Sequence, residues 1–341
     1  MADFDWRGAS LTALKYGVGL AALAWVVTSV DWATTLDVLA GLSPAALGAV
    51  LAISVVGLFV RAATWYALTL HFADGDLVSV LRADLVIKFV NSLFPSRVSG
   101  RSIAPLALRH YVDLEWNESV AVTVAHTGLY AVLYGVVTLV GYGVDAGRYG
   151  AGLGAVILLS TAAYLAVGGG VVLAGWRFDL FDGLLDRLGS IVAPLPGGAR
   201  VESALDGVRS TLLEGTDRQF QGLLRDPRAV GLFVTTWVFT LMVVPALRFW
   251  VLFEATGSTG LNPLLLPLYV VVAYSVTVLP LTPGGVGVAE ATAVAVFVAL
   301  GVPAAAVVPV VFLDRIFGIY LPSLAGWVPL MRTDLRGTAP E

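Results

Sequence analysis

The chain has 341 residues, of which 58% are hydrophobic and only 13% charged, with a net charge of −4 and a mean hydropathy of +0.86. A soluble domain carries about 25% charged residues, so this composition excludes a soluble enzyme, a nucleic-acid-binding module and a disordered chain, and leaves an integral membrane protein with several spans. Cysteine is absent and the three histidines (His71, His110, His126) are far apart, so neither disulfides nor a metal site nor any cofactor is expected.

In chain order, residues 11–30 form the first predicted span, read as an uncleaved helix rather than a signal peptide because no small-residue cleavage site follows it. Residues 45–70 form the second, with Arg61 inside it. Residues 119–140, 152–175, 229–252 and 304–330 complete six strong spans, each near the ~20 residues a bilayer needs. Two further apolar segments are interrupted. Residues 82–108 break at Pro95–Gly100, and 262–300 break at Pro280, Pro283 and the glycines Gly284, Gly285 and Gly287. Proline removes an amide donor and glycine loosens the backbone. Irregular backbone at membrane depth survives only inside protein or beside a watery cavity, so both segments are expected to be re-entrant helical hairpins.

The positive-inside rule sets the orientation. The one long polar stretch, 176–228, carries seven arginines, among eight acids. It falls on the cytoplasmic side if 82–108 enters and leaves on one side, with both termini cytoplasmic. Within that stretch, 201–224 reads as an amphipathic helix at the membrane surface. The whole chain is thus one all-α polytopic membrane domain, 1–341. Units 45–140 and 229–330 both read span, hairpin, span in opposite orientation, with Arg61 and Trp65 answered by Arg248 and Trp250. That is the pattern of an inverted repeat.

Ionisable residues within spans are costly and mark function. The expected membrane set is five cations (Arg61, Lys88, Arg97, Arg101, Arg315) and three acids (Asp84, Glu290, Asp314). Asn91, Arg97 and Arg101 at the first break would present donor forks to a phosphate. Lys88 and Asp84, four apart, can instead form a local pair, and Arg97 and Arg101 can pair with Glu290 or Asp314. Arg248 and Glu254 are placed at the outer interface, and His126 is read as a helix-packing donor. The stretch Thr282–Gly287 could turn amides toward a ligand. Glu290 in the next helical turn is a capping charge, a proton relay or the partner of a cavity arginine.

These motifs carry a resemblance. Asn91-Ser92-Leu93-Phe94-Pro95-Ser96-Arg97 with Arg101, and Leu279-Pro280-Leu281-Thr282-Pro283-Gly284-Gly285-Val286-Gly287-Val288-Ala289-Glu290, resemble the lysylphosphatidylglycerol synthase transmembrane family over residues 10–330. Arg61-Ala62-Ala63-Thr64-Trp65-Tyr66 and Asp314-Arg315 resemble its arginine motifs. Where many members have Gly-Glu after the first hairpin arginine, this chain has Ser99-Gly100. The resemblance implies a flippase-like, lipid-handling domain. The separate aminoacyl-transferase domain of the full synthase is not expected here, so lipid aminoacylation is not expected. Archaeal relatives that neighbour surface-glycosylation glycosyltransferases make a polyprenyl-phosphate lipid a cargo implied by the resemblance.

The reading that results is a plasma-membrane flippase for an anionic phospholipid or polyprenyl-phosphate-linked lipid, and not an enzyme. The residues expected to bind or gate the headgroup are Arg61, Asn91, Arg97, Arg101, Gly284, Gly285, Glu290 and Arg315. The rival readings are a membrane partner of a glycosyltransferase or lipid-modifying enzyme, and an intramembrane lipid-phosphate enzyme. No nucleic-acid partner is expected.

Overall fold

The computed structural model describes residues 33, 36–37, 40–93, 103–176, 216–258, 260–279 and 285–331. Among them the secondary structure is helical throughout, with no strand. Five helical stretches are long and apolar enough to cross a membrane: Pro44–Thr69, Trp116–Val144, Gly150–Trp176, Pro227–Ala255 and Ala304–Met331. They coincide with five of the six predicted spans. The remaining one, 11–30, lies outside the described residues.

Local chemistry sets the helix starts. Helix α1 (Pro44–Thr69) begins at Ser43, whose hydroxyl accepts from the Ala46 amide at 3.1 Å, with Pro44 in the first turn. Helix α2 (Leu77–Leu93) starts five residues earlier than the sequence reading places the segment. Asp76 is the reason: its carboxylate accepts from the amides of Val78 at 2.8 Å and Ser79 at 2.9 Å. After the short α3 (Ala104–Val112), helix α4 (Trp116–Val144) is capped by Glu118, which reaches back to the Glu115 amide at 3.0 Å. Helix α5 (Gly150–Trp176) returns antiparallel to α4.

Small residues bring α4 and α5 together. A Cβ added to Gly168 would stand 2.6 Å from the Val132 amide nitrogen, and one on Gly128 would stand 2.9 Å from Val172. In lipid, where apolar side chains gain little by leaving their neighbours, such close backbone approach carries helix association.

Helix α6 (Thr216–Arg225) is the described end of the predicted amphipathic stretch. It buries Phe220 and Leu223 beneath α4 and leaves Arg218 and Arg225 exposed. Asp226 then caps α7 (Pro227–Val238), accepting from the Arg228 and Ala229 amides. A π turn, Phe239–Val243, joins α7 to α8 (Val244–Ala255). Helix α9 (Leu266–Ala273) runs into the 3₁₀ turn Ser275–Val278, and α10 (Val288–Ala299) follows the second glycine-rich break. Helix α11 (Ala304–Arg315) meets a second π turn, Ile316–Tyr320, before the short α12 (Leu321–Ala325) and α13 (Trp327–Met331).

Both π turns precede a proline by one residue. Pro245 has no N–H to return to the Leu241 carbonyl, and Pro322 has none for Gly318. The ladder therefore shifts to i→i+5 spacing: the Val244 amide reaches Phe239 and the Leu321 amide reaches Ile316.

Helices α1 and α2 pack on each other and on α7, α8 and α12. The outer faces are apolar, with Leu51, Val56, Phe59, Leu139, Leu159 and Leu324 all exposed. Exposed apolar surface of this extent is what a lipid-facing wall requires. The breaks themselves, 94–102 and 280–284, lie outside the described residues. Their flanking helices do pack as pairs, α2 with α3 and α9 with α10.

Candidate functional site

Three buried carboxylates each hold a guanidinium in the interior. On α1, Arg61 Nε donates to both oxygens of Asp84 (3.1 and 2.8 Å), and Trp65 Nε1, one turn further, donates to Asp84 Oδ1 at 3.0 Å. The i, i+4 spacing of Arg61 and Trp65 puts both donors on the face of α1 that meets α2. On α8, Arg248 Nε donates to Asp314 Oδ1 at 2.8 Å and Nη2 approaches the same oxygen at 2.7 Å, while the Tyr274 hydroxyl donates to Oδ2 at 2.9 Å. On α10, Glu290 accepts from Arg315 Nε at 2.6 Å and the Tyr320 hydroxyl at 2.7 Å, and its other oxygen accepts from the Gly287 amide at 2.7 Å.

Gly287 (φ +82°) and Gly285 (φ +75°) hold the left-handed backbone that leads into this cap. A side chain at either would be strained. Glu290 is therefore both a helix-start acceptor and the partner of a buried arginine, two of the roles the sequence left open.

Lys88 stands apart. It is 6% exposed, and among the described residues no carboxylate lies within salt-bridge distance of it. Its Nζ donates to the Gly318 carbonyl at 2.7 Å, the oxygen that Pro322 leaves without its usual amide. The expected Lys88–Asp84 pair does not form, because Asp84 is taken by Arg61 and Trp65.

Arg248 is also placed differently from expectation. It is 6% exposed and bound to Asp314, not at the outer interface, because its face of α8 meets α11. Trp250, read as the counterpart of Trp65, is exposed and donates to Glu254 instead. His126 packs as expected: its ring stacks on Trp65 at 3.7 Å and its Nε2 lies 3.1 Å from the Thr64 hydroxyl.

These groups surround two adjoining cavities. One, of about 130 Å³, is lined by Arg61, Lys88, Arg248, Tyr274, Asp314 and Arg315. The other, of about 200 Å³, is lined by Arg61, Trp65, Lys88, Asn91, Tyr130 and Trp237, among others. Arg61, Lys88, Tyr130, Thr240, Leu241 and Ile319 border both. Both π turns contribute, through Thr240 and Leu241 on one and Ile319 on the other.

Of the residues expected to bind or gate, Arg61 borders both cavities, Arg315 the first and Asn91 the second. Glu290 sits behind Arg315, and Gly285 lies in the approach to α10. Arg97, Arg101 and Gly284 lie outside the described residues, and with them the proposed pairing of the two arginines. The sequence reading missed Arg248, Tyr274, Trp237, Thr240 and Ser323. The signal that could have found several of them is the proline that follows each π turn after one intervening residue.

The model of the family described as the lysylphosphatidylglycerol synthase TM region matches residues 12–326. The chain belongs to that family. Membership ties this membrane protein to lipid metabolism or transport, and both π turns and all three carboxylate clusters lie within the region matched. No curated protein and no solved structure matches the chain.

Proposed function

We propose that the chain moves an anionic lipid, a phospholipid or a polyprenyl-phosphate-linked lipid, between leaflets, without enzymatic chemistry. The observation that carries this is the charge balance around the two cavities. Four cations, Arg61, Lys88, Arg248 and Arg315, face three acids, and each acid already holds a guanidinium. Lys88 is the charge left over. An unpaired cation in low dielectric is costly, and an arriving phosphate monoanion removes that cost. The headgroup sits in the cavities while its tails remain in lipid.

The architecture that suits this task has a sixth span at 11–30, two opposed re-entrant hairpins centred on the breaks, and cytoplasmic termini in the plasma membrane. The 45–140 and 229–330 units then form an inverted repeat around the site. In sequence, Arg97 and Arg101 add two more cations to the first break.

The test is reconstitution into liposomes carrying a fluorescent anionic lipid in both leaflets, with outer-leaflet quenching as the readout. Wild-type protein is expected to expose inner-leaflet lipid, and Lys88→Gln to slow this about tenfold, the loss of one charge-assisted contact. Equal rates for wild type, Lys88→Gln and protein-free liposomes would sink the proposal.

A further inference from the structure

The second π turn, Ile316–Tyr320, has a glycine at its centre, and two cations from separate helices meet on it. Lys88 of α2 donates through Nζ to the Gly318 carbonyl at 2.7 Å. Arg248 of α8 lies against the Cα of the same residue: a Cβ added to Gly318 would stand 2.6 Å from Arg248 Nη2 and 3.2 Å from its Cζ. Gly318 keeps a negative φ, so backbone conformation does not call for glycine there. A helical glycine is disfavoured relative to alanine. What it provides here is the space in which the guanidinium lies.

The carbonyl is open to Lys88 for an equally local reason. Pro322 stands four residues on and has no amide to return to it. The turn thus offers one cation a bare Cα and the other a freed acceptor. Arg248 gives Nε and Nη2 to Asp314 Oδ1. Its remaining nitrogen, Nη1, is 3.7 Å from a Cβ placed on Gly318 and 4.0 Å from one placed on Gly57 of α1. Gly57, Lys88, Arg248, Gly318 and Pro322 all line the smaller cavity. Lys88 and Arg248 are buried, and among the described residues only Arg248 has a carboxylate partner. Like charges gathered on one residue repel in low dielectric, and an anion between them turns that repulsion into attraction.

We propose that Gly318 is a positioning residue of the anion site: its bare Cα seats Arg248, its proline-freed carbonyl seats Lys88, and the lipid phosphate binds between these two cations. This rests on the anion-binding reading above and narrows it to one location. There the phosphate ties α2 to α8, while Arg61 and Arg315 stay with their own carboxylates.

The experiment titrates inorganic phosphate into the full chain in detergent at constant ionic strength. Tryptophan fluorescence reports binding, and the thermal midpoint is measured beside it. Wild-type protein is expected to bind. Gly318→Ala puts a methyl group where the guanidinium lies and should weaken binding about tenfold, the loss of one charge-assisted contact. Pro322→Ala returns an amide to the Gly318 carbonyl in competition with Lys88, and should also weaken binding about tenfold. The midpoint of Pro322→Ala should nonetheless hold or rise, since alanine suits a helix better than proline. A proline with a purely structural role would lower affinity and midpoint together. In a Lys88→Gln background, Pro322→Ala should cause no further loss, because its effect runs through Lys88.

Wild-type affinity in either single variant would overturn the role of Gly318 and leave the anion site standing. So would a joint fall of affinity and midpoint in Pro322→Ala, or losses that add in the double variant with Lys88→Gln. No binding of phosphate by wild-type protein would overturn both readings. In the liposome assay both variants should slow the exposure of inner-leaflet anionic lipid about tenfold. Weakened phosphate binding with wild-type lipid movement would overturn the lipid assignment and give the site to free phosphate.

Discussion

At the scale of single residues, the interior is a set of charges whose partners differ in kind. The Arg315–Glu290 pair is almost wholly buried, 3% exposed at each side chain. Removing one partner strands the other charge, and such stranding costs about 3–5 kcal/mol. Glu290→Gln and Arg315→Gln should each lower the thermal midpoint in detergent sharply, and the double variant should recover part of the loss. If the double variant is as unstable as the sum of the two singles, the pair is not the unit described. Thr240→Val tests the opposite case. An unsatisfied buried hydroxyl is unfavourable by about 1–3 kcal/mol, so its removal should hold or raise the midpoint. A clear fall would mean that the Thr240 hydroxyl has a partner.

At the scale of elements, the contact between α4 and α5 depends on glycine. Gly168→Leu would force a side chain into the Val132 backbone, and overpacking of this kind costs about 1–3 kcal/mol. Melting curves should show the loss, while Gly169→Leu, one residue along and facing open space, should show little. The elements also show what could be read from sequence. Long apolar runs gave α1, α4, α5, the α7–α8 stretch and the last apolar stretch, with every end within four residues of the span observed, because hydrophobic length is a direct consequence of bilayer thickness. Arg61, Asn91, Glu290 and Arg315 were legible because charge and amide groups in apolar runs are conspicuous. Arg248 was not, since its depth depends on which face of α8 meets α11, and position along a span does not give that. Thr240, Trp237 and Ser323 were hidden for another reason. They are ordinary span residues until π turns and packing bring them to one cavity.

At the scale of the whole molecule, the two halves are also joined near the surface. His71, just past the end of α1, lies 2.9 Å from Asp226, the cap of α7. Asp226 is held below the ordinary carboxylate range, first by the His71 hydrogen bond and then by the Ala229 and Arg228 amides. A carboxylate with a lowered folded pKa contributes stability that is full above its unfolded value, near about pH 4, and fades as the pH falls through the folded one. The thermal midpoint should therefore decline on acidification below that range, and Asp226→Asn should flatten the decline. An unchanged slope in the variant would show that the acid response arises elsewhere.

Asp314 and Arg315 are neighbours of opposite sign on α11. Successive residues on a helix point about 100° apart, so the two reach different helices, Asp314 to α8 and Arg315 to α10. The same turn of α11 is thus pinned from two directions by bonds of reversed polarity. A slide or rotation of α11 alone would have to rupture both at once. Helix α1, by contrast, is tied to α2 by the Arg61–Asp84 clasp and carries no second ion pair along its described length. Two buried ion pairs thus fasten α11 to α8 and α10, whereas one fastens α1 to α2.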